Sequence, residues 1–343
     1  MSDAGTPLRV VAIGGGTGLS TLLHGLKRYA GPEPAPRMDI TAVVTVTDDG
    51  GSSGRLRRDF DVLPPGDIRN CMVALSHDEA LLSRLFQYRF QSGRGLKGHS
   101  FGNLFLTAMT HITGDFAEAV KQSSEVMASA GRIYPATKTN VALEAVLEDG
   151  TVVNGETNIN KSRKKIVAIR LLPRRCQPLP ETLDAIAQAD LITLGPGSLF
   201  TSVVPNLLVS GIAVAIRNSP AVKACYVNLM WEPGETTGFR ASEHLEAIHR
   251  HARGKLIDYA VLNTGVIKPA LRKRYAREKA EQVENDVERI RQTGINIVTA
   301  DLVAGSVKAG SVKVRHNPEA VAEIALRLAG EGRRRREESS HGK

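Results

Sequence analysis

Short apolar runs alternate with glycine-punctuated polar turns through the first fifty residues. Residues 8–13, Leu8-Arg9-Val10-Val11-Ala12-Ile13, form the kind of compact apolar run that a buried parallel strand requires. Gly14-Gly15-Gly16-Thr17-Gly18 follows at once, residues 19–26 carry helical spacing, and residues 39–46 read as a second strand. Strand, glycine turn, helix and strand together open a Rossmann-like unit.

Helices are expected over 67–75, 79–90, 102–113 and 116–130. Between 132 and 172 the pattern shifts to short strands at 141–147, 151–153 and 165–171, with Glu148-Asp149-Gly150 as a hairpin signal. This predicts a small β-rich insertion. Further strands are expected at 190–194, 212–216, 224–229, 259–263 and 296–300, with helices at 242–253 and 270–280. A last helix at 318–328 has Asn317 as its cap. The fold class predicted is α/β: a Rossmann-like, doubly wound, mainly parallel sheet with that insertion. Residues 8–329 are expected to make one domain, with a disordered N-terminus at 1–7 and a basic disordered tail at 330–343.

A chain of 343 residues, 42% hydrophobic, can bury a sizeable core without covalent staples. Cys71, Cys176 and Cys225 include no CxxC pair, so they read as buried small hydrophobes in a reducing cytosol. Residues 1–7 lack signal-peptide character, and no apolar run reaches membrane-spanning length. A cytoplasmic protein with no membrane span is expected. The net charge of +9 would suit nucleic acid, but the chain is only 4% aromatic and carries no RRM, KH or helix-turn-helix signature. Nucleic-acid binding is therefore not expected, and Arg333 to Arg336 read as solvated charge.

Candidate chemistry gathers at four places. The first is Gly14, Gly15, Gly16, Thr17 and Gly18, where bare backbone and a helix N-terminus suit a phosphate. Leu19 stands where a dinucleotide fingerprint needs its third glycine, and there is no Walker GK[ST]. A tight turn with no ligand is the alternative. The second follows the second strand: Asp48 and Asp49 suit sugar hydroxyls or Mg²⁺, with Ser52, Ser53 and Arg55 in the same loop. A polar turn with Asp48 capping a helix is the plainer reading. The third is His99 with Asn103, as acid, base or phosphate-orienting pair, or as structural groups. The fourth, Gly195-Pro196-Gly197-Ser198 with Thr201 and Asn206, repeats the logic of the first turn. Two such turns facing one crevice would suit a diphosphate. Ser198 is no nucleophile elbow, because Phe200 occupies the final glycine position.

Taken in order, the segments Ile13-Gly14-Gly15-Gly16-Thr17-Gly18-Leu19-Ser20, Val46 to Arg55, Pro65-Gly66-Asp67-Ile68-Arg69-Asn70, Gly98 to Leu104 and Thr193 to Ser202 resemble the YvcK-like gluconeogenesis-factor family. The resemblance runs from about residue 8 to residue 328. It implies a fold similar to the CofD transferases, which join a phospholactyl group from a guanine-nucleotide donor to a deazaflavin. It also implies binding of UDP-N-acetylglucosamine, a role in cell shape and wall synthesis during gluconeogenic growth, and a regulatory protein partner. It leaves a homo-oligomer open, and it carries no established catalysis. Two further ligand contacts are implied by it alone, Tyr275 and Arg315. Where many relatives have glutamate-glycine this chain has Glu278-Lys279, which puts the shape of that loop in question. A sugar-nucleotide sensor, a CofD-type transferase and, with a broken fingerprint against it, an NAD-dependent oxidoreductase are the readings carried forward.

Overall fold

The computed structural model describes residues 6–31, 37–77, 81–304 and 313–341. Seven parallel strands make the main sheet: β1 (Leu8–Gly14), β2 (Met38–Val44), β3 (Gly131–Pro135), β7 (Leu191–Leu194), β8 (Val222–Tyr226), β9 (Tyr259–Asn263) and β10 (Asn296–Ala300). A separate antiparallel sheet holds β4 (Ala142–Leu147), β5 (Val152–Asn154) and β6 (Ile166–Leu172), in the order β5-β4-β6. The main order is β10-β9-β8-β7-β1-β2-β3. The chain winds outward one way from β1 and the other way from β7. These two strands pair in parallel, Ile13 opposite Leu194, at the point where the winding reverses. Open α/β sheets bind ligands beyond the carboxyl ends of strands at such a point.

The apolar runs read as strands are inside. Val11, Ala12, Ile13, Ile192, Leu194, Val261 and Leu262 are buried under helices on both faces, as a parallel sheet demands. The helix Pro318–His341 packs across β1, β7 and β8, and Asn317 caps it by accepting from the N–H groups of Glu319 and Ala320. All three cysteines are free and buried. Among the described residues no single helix is long and apolar enough to cross a membrane.

Four expectations need correction. Residues 212–216 are not a strand; they belong to the helix Ile212–Asn218, because a short apolar run looks alike in a buried strand and a buried helix. The β-rich insertion begins later than residue 132, since 131–135 form β3 at the edge of the main sheet. Residues 51–55 are the start of the helix Gly51–Phe60, not a loop. The tail is not disordered through 330–341, which continue the last helix. Arg333 and Arg336 sit one turn apart on one face, and both reach the Asp190 carboxylate, 0% exposed, at 2.8 and 2.6 Å. Residues 1–5 and 342–343, parts of the expected disordered ends, lie outside the described residues.

Candidate functional site

β1 ends at Gly14, and the helix Gly16–Leu26 starts two residues later. Gly16 takes a φ of +60°, a conformation that a Cβ disfavours. Gly15 stands at the N-cap with no side chain to cap the first turn, which leaves N–H groups and the positive end of the helix dipole for an anion. The neighbouring strand β7 releases the chain into Gly195-Pro196-Gly197-Ser198, a π-helical turn Leu199–Val203 and the helix Val204–Leu208. The two turns touch. A Cβ on Gly18 would lie 2.3 Å from the Pro196 carbonyl oxygen and 2.6 Å from the Gly197 Cα.

Over these turns lies a cavity of about 400 Å³. Gly15, Gly16, Thr17 and Gly18 line it from the first turn, Gly197 and Ser198 from the second, and Tyr275 and Arg315 join them. The Tyr275 hydroxyl accepts a 2.9 Å hydrogen bond from the Val314 N–H and so fixes the segment that carries Arg315. The other residues expected here lie beneath the cavity. Asn206 Nδ2 donates to the carbonyls of Gly14 (3.2 Å) and Ser202 (2.7 Å), tying the end of β1 to the second turn. The Thr201 hydroxyl donates to buried Glu235 at 2.9 Å, and Glu235 also accepts from the Phe200 N–H at 3.1 Å. Gly195, with a φ of +74°, begins the turn at the end of β7.

The remaining expected residues are not part of the cavity lining. Ser52 Oγ and His99 Nδ1 are 2.9 Å apart, Asn103 Nδ2 donates to Ser53 Oγ at 3.4 Å, and Arg55 donates to the Lys97 carbonyl at 2.9 Å. These contacts fasten the helix Gly51–Phe60 to the helix Phe101–Thr113, through Asn103, and to the segment just before it, through Lys97 and His99. Burial, then the Arg55 charge, lowers the His99 pKa. Asp48 accepts from the Gly50 N–H at 2.8 Å; Asp49 accepts from the Thr157 N–H at 2.9 Å and from its hydroxyl at 2.6 Å. Among the described residues no group of three or more His, Cys, Asp or Glu side chains is placed to hold a metal ion.

Asp67 joins the two groups, and sequence reasoning did not single it out. Its carboxylate accepts a 2.7 Å hydrogen bond from the Gly16 N–H, at the heart of the first turn. Burial and the nearby Asp48 push its pKa up to about 6, against the opposing pull of the Gly16 hydrogen bond. Glu156 begins the helix Glu156–Ser162, whose Asn160 lines the cavity. Burial, with the carboxylates of Asp48, Asp67, Glu235 and Asp49 around it, pushes Glu156 up to about 9. Burial likewise raises Glu232 and Glu235, which follow the carboxyl end of β8. The anion-ready turns are thus backed by acids that tend to hold their protons. Asp67 lay within the Pro65 to Asn70 segment already quoted, and Glu232 and Glu235 beyond a predicted strand; those were the available signals.

A family model described as 2-phospho-L-lactate transferase CofD matches residues 10–303. The chain is 47% identical over 317 residues to the gluconeogenesis factor of Halalkalibacterium halodurans, covering 92% of this chain and 95% of that protein. It is 43% identical over 323 residues to the gluconeogenesis factor of Bacillus subtilis, covering 94% and 98%. A crystal structure of a Bacillus halodurans protein aligns at a TM-score of 0.88 with 46% sequence identity, covering 94% of this chain and all of that one. The chain belongs to the CofD family, among those members that carry the name gluconeogenesis factor.

Proposed function

We propose that this chain is a cytoplasmic sugar-nucleotide sensor. Its ligand is UDP-N-acetylglucosamine, and it acts on cell shape and wall synthesis during gluconeogenic growth through a protein partner. One observation carries the ligand class: two glycine turns from adjacent strands meet under one cavity, with a helix N-terminus that lacks an N-cap side chain, Tyr275 and Arg315 around it. Bare amides suit a pyrophosphate, and Arg315 supplies a charge-assisted donor for it. Tyr275 offers a ring for base or sugar. The relatives named gluconeogenesis factors support the biological role.

The second reading is a CofD-type transferase working on a nucleotide-activated phospholactyl donor and a deazaflavin acceptor. The proton-holding acids beside the turns favour it, since acid–base chemistry needs such groups in place. Thermal-shift measurements with UDP-N-acetylglucosamine, GDP and NAD, with and without Mg²⁺, separate the readings. A ligand at 100 times its dissociation constant adds about 2.7 kcal/mol. Stabilisation by the UDP-sugar alone is expected. Stabilisation by GDP, with turnover when a guanine-nucleotide phospholactyl donor and a deazaflavin are supplied together, would favour the transferase. Indifference to every nucleotide would contradict both.

A further inference from the structure

A second cavity, of about 610 Å³, opens at the opposite edge of the sheet, where β8, β9 and β10 begin. Lys223 is the second residue of β8, Asp258 immediately precedes β9, and Asn296 starts β10. Arg217 comes from the helix Ile212–Asn218, Lys255 from the turn before β9, and Arg335 from the last helix. Four basic side chains therefore line one space in which Asp258 is the single lining carboxylate, and burial lowers the pKa of one of them, Lys223. Asp258 is already engaged by the Lys223 N–H at 2.9 Å and by Arg335 at 3.9 Å.

Backbone carbonyls aim three of these cations. Lys223 Nζ donates to the Ser219 carbonyl (2.7 Å), Arg217 to that of Ala252 (2.6 Å) and Lys255 Nζ to that of Thr293 (3.5 Å). Those carbonyls lie just past helix ends, where a cation is favoured on its own account. That explains each placement singly and not their convergence. An ammonium carries three donors and a guanidinium five, so each retains donors after serving its carbonyl. Asp258 and Glu331, which pairs with Arg335, offset part of this charge; the cations left over repel one another, and an anion relieves the repulsion.

We propose that this is a second ligand site, for a small sugar phosphate. A phosphate monoester brings two negative charges and oxygens that accept from several directions, which matches cations arriving from different elements. Asp258, Asn296 and Thr293 offer partners for hydroxyl groups. The volume lies within the range of about 300–1,000 Å³ usual for small-molecule sites. The site is built from the amino ends of strands whose carboxyl ends serve the nucleotide cleft, so it fills independently of that cleft and does not depend on the function proposed above.

Calorimetric titration of the full chain with glucose 6-phosphate and with inorganic phosphate tests the assignment. Saturable binding of one equivalent is expected, with glucose 6-phosphate the tighter ligand and affinity falling as salt rises. Arg315→Ala, in the nucleotide cleft, should leave it unchanged. Lys255→Glu should weaken it at least about tenfold and Lys255→Arg should restore it; Lys255 is exposed, so folding is not at stake, and circular dichroism verifies it. No saturable heat with either probe up to about 10 mM would overturn the proposal. So would binding that survives Lys255→Glu but is lost in Arg315→Ala.

Discussion

The Asp67 carboxylate accepts a hydrogen bond from the backbone N–H of Gly16, 51 residues earlier in the chain, at 2.7 Å. A titratable carboxyl thus sits under the turn that is built to receive a phosphate. Its own ionisation is held back by burial and by Asp48. Ligand binding and protonation are therefore coupled at this site.

The coupling has a definite sign. A diphosphate entering above Asp67, Glu156 and Glu235 adds negative charge and favours their neutral forms. Affinity for UDP-N-acetylglucosamine should fall as pH rises from about 6, where burial has placed Asp67, to about 9, where it has placed Glu156. Calorimetry in buffers of different ionisation enthalpy should register net proton uptake on binding between those values. Asp67→Asn should remove the lower part of the slope.

The same groups govern the stability of the ligand-free chain. Burial raises the folded-state pKa of Glu156 from the ordinary 4.5 to about 9. Stability from this group is fully present below about pH 4.5, where the carboxyl is neutral folded or unfolded, and is lost as pH rises towards 9. Urea denaturation should show the chain weakening over that range. Glu156→Gln should flatten the trend and stabilise the protein at pH 9 by about 2 kcal/mol or more.

Gly18→Ala should separate binding from folding. The added methyl meets the Pro196 carbonyl oxygen at 2.3 Å and must force the two turns apart. Overpacking of this kind costs about 1–3 kcal/mol, which a chain of this size can absorb. Ligand affinity should drop at least about 100-fold, because backbone donors on both turns shift together. A folded variant with unchanged affinity would show that the junction does not set the ligand geometry.

Arg333→Met addresses the end of the chain. It leaves Asp190, 0% exposed, with Arg336 as its remaining guanidinium and with the Arg9 N–H at 2.8 Å. Breaking a buried pair costs about 3–5 kcal/mol, and the surviving partners should reduce that to about 2–3 kcal/mol in urea denaturation. Were these arginines merely solvated, the change would stay within about 0.5 kcal/mol.

How much of this was legible in the sequence depended on how local each signal was. β1, β9 and β10 were readable because each is a short apolar run bounded by polar or glycine residues. The glycine turns were readable because the demand for bare backbone is written into consecutive residues. Residues 212–216 misled because Ile-Ala-Val-Ala-Ile has no polar position to reveal a period. Arg333 and Arg336 looked solvated because their shared partner, Asp190, is far off in sequence, 143 residues from Arg333. Asp67 and Glu156 were silent for the same reason: a lone carboxylate has no signature until the fold sets it beside others.

The most direct test is a crystal structure of the chain with UDP-N-acetylglucosamine. The account predicts the pyrophosphate over the N–H groups of the Gly15 to Gly18 turn, flanked by Gly197 and Ser198, with Arg315 on a phosphate oxygen and Tyr275 against the nucleoside or sugar. A ligand seated elsewhere, or density that leaves both glycine turns facing water while the protein is saturated, would contradict it.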